Sequence, residues 1–172
     1  MKTPRNGFTL VELLTVIAII AVLAGLVLAS TGLVQKKAAR SRAEVEIRAM
    51  ESALEKYKAD NGDYPRNTVT DGLRPTNSFN PAVTAFKDST RFLWGELSGS
   101  GGRTVYFEFQ PAMLNLTGTV VNFITDPFGY SYGYSTVGLA TGTNAYNLAV
   151  PDIWSTAGST VTGGTGGWIT NW

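Results

Sequence analysis

The chain predicts an α+β fold: a long N-terminal α-helix, transmembrane in its first half and amphipathic in its second, packed on a small, mostly antiparallel β-sheet. Three observations predict it. An apolar run over residues 8–29 is broken only by Glu12, and a charged, helix-favouring stretch with a periodic apolar stripe continues it to residue 61. Short β-favouring runs separated by Gly and Pro turns fill the remainder. At 172 residues there is room for one compact domain and one appendage, not two full domains.

The apolar run comes first. At about 1.5 Å per residue it is long enough to cross a hydrocarbon core of about 30 Å. Lys2 and Arg5 precede it and hold that end in the cytoplasm by the positive-inside tendency. A secretory signal peptide or simple signal anchor is the commoner origin of such a run. A signal peptide is cut after its apolar region, where Ala29-Ser30-Thr31-Gly32 offers small residues, whereas Gly7 lies before the run. Glu12 counts against both alternatives, because a carboxylate near the head of a spanning segment is costly in lipid and needs a partner or a function.

Gly7-Phe8-Thr9-Leu10-Val11-Glu12-Leu13-Leu14 resembles the processing motif of type IV prepilins and type II secretion pseudopilins. The resemblance implies cleavage between Gly7 and Phe8 by a prepilin peptidase on the cytoplasmic face, then methylation of the new Phe8 amine. It divides the chain into a cytoplasmic leader (1–7), a transmembrane and filament-core helix (8–29), an amphipathic helix (30–61) and a globular pilin-like domain (62–172). It also supplies a reason for Glu12. A carboxylate buried among apolar helices is destabilising unless it meets an opposite charge, and the family's partner is the Phe8 amine of an adjacent subunit. The implied partners are further copies in a homo-oligomeric filament, the peptidase, and an inner-membrane assembly platform with its ATPase. The implied location is the bacterial inner membrane with the C-terminal domain periplasmic, then a periplasmic filament.

Beyond residue 36, Ala39, Ala43, Ile47, Met50, Leu54 and Tyr57 recur at intervals of three and four and share one helical face. The opposite, exposed face carries Arg40, Glu44 and Arg48, and Arg42 with Glu46, at i,i+4 spacings that support a helix. With no Pro in residues 13–60, the two stretches read as one near-continuous helix, softest at Gly25 and Gly32. The stripe is about five turns long, short of the three to four heptads of a coiled coil, which suits a face packed under the chain's own domain better. Asn61-Gly62-Asp63-Tyr64-Pro65 ends the helix, Gly for the left-handed position and Pro as a stop. Its Gly-x-Tyr-Pro again resembles the pseudopilins.

Residues 66–80 read as a polar surface loop. A second helix is predicted over 81–97, with Asn80 as N-cap, Pro81 in the first turn, and Ala82, Phe86, Leu93 and Leu97 on one side. Strands are predicted over 104–109, 119–125, 130–134, 146–148 and 153–154. Asp126-Pro127-Phe128-Gly129 is a turn by its chemistry. With Tyr130-Ser131-Tyr132-Gly133-Tyr134, Asp152-Ile153-Trp154-Ser155 and Trp168-Ile169-Thr170-Asn171-Trp172, it resembles the C-terminal half of the major, G-type pseudopilin. That family's C-terminal loop carries several Asp residues that bind calcium, an ion wanting six to eight oxygens. Here residues 156–168 hold no carboxylate. Asp152 is the nearest candidate, one ligand is not a site, and no cofactor is expected.

Composition narrows the function further. Without Cys or His there are no disulfides, thiolate nucleophiles, imidazole ligands or Ser-His-Asp triads. A net charge of +1 gives no bulk attraction to nucleic acid, and the aromatics lack an interleaved basic stripe. Asp60 with Asp63, Glu108, Asp126 and Asp152 are the carboxylates available for acid/base work, and each sits where helix-end solvation, a strand face or a turn accounts for it. The Gly-rich runs at 99–102 and 163–167 lack the Lys and the context of a phosphate loop. The reading is a non-enzymatic structural subunit of a secretion pseudopilus or related filament. Its rivals are a true surface pilin for adhesion, motility or DNA uptake, and a signal-anchored carbohydrate-binding module supported by the surplus of Tyr and Trp.

Overall fold

The computed structural model describes residues 7–75, 80–160 and 166–172, the side chains of 27–31 excepted. One helix, α1 (Leu10–Asn61), runs through the N-terminal third. The chain divides into two compact units, Met1–Ala38 and Ala39–Trp172.

In the first unit the described side chains from Phe8 to Leu26 all face solvent, Phe8 being 79% and Leu10 81% exposed. Among the described residues of this unit, nothing covers them. Among the described residues no helix is long and apolar enough to cross a membrane. The expected span of 8–29 runs into 27–31, whose side chains lie outside the described residues. Residues 1–6 of the expected leader lie outside them too.

In the second unit the predicted stripe is the core face of α1. Ala43, Ile47, Met50 and Leu54 are buried, joined by Ala53, while Ala39 and Tyr57 are half-buried. They pack with Leu93, Leu97, Met113, Ile124, Tyr132, Tyr134, Ile153 and Ile169 in one cluster. Gly62 takes φ 86 directly after the last turn, and its N–H closes on Lys58 O at 2.8 Å, so the helix stops where Gly alone adopts that conformation without strain.

The rest is two small antiparallel sheets with short helices, an α+β pilin-like arrangement. β1 (Leu114–Thr117) pairs with β2 (Val120–Ile124), and β3 (Gly133–Ser135), β4 (Asp152–Ser155) and β5 (Ile169–Thr170) form a three-stranded sheet in that order. The helices are α2 (Thr68–Gly72), α3 (Thr84–Leu97) and, between β3 and β4, α4 (Val137–Thr141). Tyr134 faces Ile153 and Gly133 faces Trp154 across the β3–β4 ladder.

Several expectations are corrected. The second helix begins at Thr84, not Pro81: Asn80 Oδ1 accepts Ala82 N–H and Asn80 O accepts Val83 N–H, so a side-chain turn occupies the predicted first turn and leaves Ala82 exposed. The loop at 66–80 contains α2, capped by Asn67 and Thr70, with 76–79 outside the described residues. Residues 104–109 make no strand, only a bridge between Ser98 and Val105. Tyr106 and Phe107 both donate N–H to Leu97 O, and Tyr106 stands edge-on to Tyr57, so aromatic packing overrides β propensity. Residues 146–148 make none either, because the Asp152 carboxylate takes the N–H groups of Tyr146 and Asn147. β1, α4 and β5 lie where no element was expected. The strand expected at 130–134 is β3, shifted to Gly133–Ser135.

Candidate functional site

The predicted site residues fall into two groups, one in each unit. At the head of α1, Thr9 precedes the first helical residue and Glu12 lies three positions on. Glu12 Oε2 accepts Thr9 N–H at 2.8 Å and Thr9 Oγ1–H at 2.7 Å, while Glu12 N–H donates to Thr9 Oγ1 at 3.3 Å. This is a reciprocal cap: each side chain satisfies the other residue's backbone N–H, two of the donors that a helix start leaves without partners. The sequence signal, Thr-x-x-Glu before an apolar run, was there to be read. Glu12 is therefore committed to its own helix start in the isolated chain. Gly7 and Phe8 are exposed beside it, and a side chain on Gly7 would meet nothing within 4 Å.

The second group holds the buried carboxylates, and here sequence reasoning found the residues without their partners. Asp152, 1% exposed, accepts Tyr146 N–H at 3.0 Å and Asn147 N–H at 2.8 Å. Asp126, 2% exposed, accepts the N–H groups of Phe128 and Tyr130 on Oδ1, and Ser155 Oγ–H on Oδ2. One carboxylate folds the approach to β4, and the other closes the Asp-Pro-Phe-Gly turn onto it. Glu46, expected on the exposed face, is buried instead, between Arg42 Nε at 2.6 Å and the Tyr132 hydroxyl, which donates at 2.6 Å. Burial, then Glu46, pushes the Tyr132 hydroxyl well up from its ordinary value, so it remains a donor at any working pH.

These groups do not assemble a metal or catalytic centre. The oxygens of Asp126 and Asp152 already accept N–H or O–H donors, and among the described residues no three His, Cys, Asp or Glu side chains converge on one point. Calcium takes six to eight oxygens, some of them carboxylate, and residues 156–168 contribute no carboxylate to such a set. Asp60, Asp63 and Glu108 are exposed. The C-terminal tail is tied by other means. Arg40 Nη1 donates to Gly167 O at 2.8 Å, and Trp168 stacks on Trp154 at 5.9 Å between centroids. Asn171 accepts Ile153 N–H and donates to Pro151 O. Tyr146 lies flat on Trp172, with ring centroids 4.3 Å apart.

Burial raises the Asp126 carboxyl above its ordinary value; bonds from Ser155, Tyr130 and Phe128 oppose the rise and nearby Glu46 adds to it. A carboxyl that holds its proton more tightly when folded contributes stability that is fully present below its unfolded pKa and lost as pH rises through the folded one. Asp126→Asn keeps an oxygen for both N–H groups and presents an amide to Ser155. Its stability at neutral pH should match or exceed wild type, with the advantage shrinking as pH falls toward the ordinary carboxylate range. Asp126→Ala, which leaves buried donors unmet, should cost about 1–3 kcal/mol. Urea melts across that range test this; an Asn variant as damaged as Ala would show that the charge itself is required.

Comparison with known proteins gives the following. Residues 2–28 match the family model of the prokaryotic N-terminal methylation motif, and residues 33–83 that of type II secretion system protein G. Type II secretion system core protein G of Escherichia coli (strain K12) is 45% identical over 69 residues, covering 40% of this chain and 46% of that one. The protein of that name from Vibrio cholerae serotype O1 is 38% identical over 78 residues, 42% and 52% of the two chains. A fimbrial protein of Neisseria meningitidis is 34% identical over 73 residues, 42% and 43%. The chain thus spans about half the length of the curated relatives it matches. No solved structure matches it.

Proposed function

We infer, from an N-terminal half that is type IV pilin-like and of the type II secretion protein G kind, that the chain is a structural subunit of a secretion pseudopilus. The observation that carries this is the position of Gly7-Phe8 and a lone Glu12 at the head of an apolar helix whose described side chains find no cover among the described residues of their unit. A helix face of that extent is stable only in lipid or against other helices. The subunit waits in the inner membrane with its C-terminal domain periplasmic, is cut before Phe8, and is N-methylated there. It then leaves lipid by packing among copies of itself. An ATPase on the assembly platform supplies the work, and this chain performs no chemistry.

Glu12 changes partner along that route. Its cap onto Thr9 serves the waiting subunit, and the Phe8 amine of a neighbour replaces part of that cap as copies stack. Cleavage is what creates the amine, so processing and assembly are linked through one carboxylate.

Mass spectrometry of the mature protein tests the reading. A chain beginning at methyl-Phe8 supports it, whereas an intact Met1 or a cut near Gly32 removes it. Loss of secretion on deletion, with surface pili unaffected, separates the pseudopilus from a surface pilus.

On the same reading the C-terminal loop holds without calcium, through Arg40, the Trp154–Trp168 stack and Asn171. Saturating calcium should shift the melting temperature by less than the ~3 °C that 1 kcal/mol of binding gives a domain of this size, and a chelator should lower it no further. A larger shift in either experiment would mean that a cation site exists after all.

A further inference from the structure

Between Glu12 and Glu44 every formal charge is positive: Lys36, Lys37, Arg40 and Arg42. The structure separates these four into two kinds. Arg40 is engaged with Gly167 O and Arg42 with Glu46. Lys36 and Lys37 are exposed and, among the described residues, have neither an ion pair nor a hydrogen bond. They belong to the same compact unit as the apolar stretch.

Their height along α1 gives them a setting. From Leu10 to Lys36 the helix rises about 39 Å. A hydrocarbon core is about 30 Å thick, and a bilayer with its headgroups about 40–45 Å. With Leu10 at one edge of the hydrocarbon, Lys36 and Lys37 stand about 9 Å beyond the other, where flexible stems reach the headgroup layer. Neighbouring helical residues point about 100° apart, so the two ammonium groups diverge around the helix. That suits a layer surrounding the helix better than a single partner face. A parallel copy at the same height offers no counter-charge, since Glu12 is the only acid in its first 38 residues.

We propose that Lys36 and Lys37 bind the phosphates of anionic lipid headgroups on the leaflet opposite the N-terminus, holding the waiting subunit at a set depth. This rests on the reading of residues 8–29 as membrane-inserted. Each lysine near such a surface gives a preference for anionic over neutral lipid of about five-fold, screened by salt.

The test uses the processed full chain reconstituted into phosphatidylcholine vesicles with or without phosphatidylglycerol. A membrane-impermeant amine-acylating reagent is added, and labelling of Lys36 and Lys37 is read by peptide mass spectrometry against Lys56 in the same molecules. Phosphatidylglycerol should slow labelling of Lys36 and Lys37 about five-fold relative to Lys56, and molar salt should restore it. In a Lys37→Gln variant the protection at Lys36 should persist, because each lysine meets its own headgroup. Equal labelling in both vesicles overturns the proposal. So does protection that appears in phosphatidylcholine alone and grows with protein density, since a neighbouring copy would then be the partner. A chain that floats with neither vesicle overturns the membrane reading itself, which separates the two failures.

Discussion

Glu12→Ala subunits should enter filaments at least about ten-fold less efficiently than wild type when the two are co-expressed, with the melting behaviour of the 39–172 unit unchanged. The structure shows one role of this side chain, the cap onto Thr9; the proposed function gives it a second, and a second variant separates them. As a cap, Glu12 needs only an oxygen that accepts the Thr9 N–H and hydroxyl, which Glu12→Gln retains. As a counter-charge for the Phe8 amine it needs to be ionised, which Gln is not. A buried amine left without its partner is strongly destabilising, far more so than a weakened cap at a helix start. Gln should therefore fail almost as completely as Ala. If Gln assembles normally while Ala does not, Glu12 is a cap and nothing more; if both assemble, it has no part in assembly. Sedimentation of sheared filaments, with subunit ratios read by mass spectrometry, gives the answer.

Gly133→Ala should destabilise the domain by at least about 3 kcal/mol, at the upper end of what overpacking a core costs. A Cβ on Gly133 would lie 2.1 Å from Trp154 Cε2 and 2.3 Å from Cζ2. The indole has nowhere to retreat. Phe86 stands edge-on to it at 5.5 Å, Trp168 stacks on it, and its own backbone is pinned in the ladder opposite Gly133. Gly95 is the control: it lies in α3, a Cβ there meets nothing within 4 Å, and Gly95→Ala should stabilise by about 0.5–1 kcal/mol. Thermal melts of the full chain in detergent, followed by tryptophan fluorescence, measure both. A Gly133→Ala protein within 1 kcal/mol of wild type would mean that β3 and β4 can part without loss.

Where local chemistry dictates conformation, the reading from residues alone was good. The stripe from Ala43 to Leu54 is buried because its spacing matches the helix period, and Gly62 ends α1 because little else takes φ 86 at that point. The Phe-Thr-Leu-Val-Glu run was legible as part of the N-terminal methylation motif that residues 2–28 match, although its helix-capping geometry was not. Reading failed where aromatics with high β propensity found a helix before they found a strand. Tyr106 and Phe107 hang from Leu97 O and pack toward α1 and one another's neighbours, Phe107 edge-on to Phe109 at 4.6 Å. β1 escaped notice because it is only four residues long and mostly exposed, although Leu114-Asn115-Leu116-Thr117 alternates apolar with polar and Gly118 at φ 61 marks the hairpin turn that pairs it with β2.

Residue order and type suffice for the oily helix, its lone acid, the stop at Gly62 and a tail without carboxylates, because each depends on near neighbours in the chain. The destinations of the Asp126 and Asp152 oxygens, the burial of Glu46 under Tyr132, and the glycine beneath Trp154 were set by folding. Apart from the Asp126 turn bonds to Phe128 and Tyr130, those contacts join residues from 5 to 86 positions apart. Hydrogen bonds and close packing act over a few ångströms of space, and no local pattern in a sequence records which distant atoms will come that near.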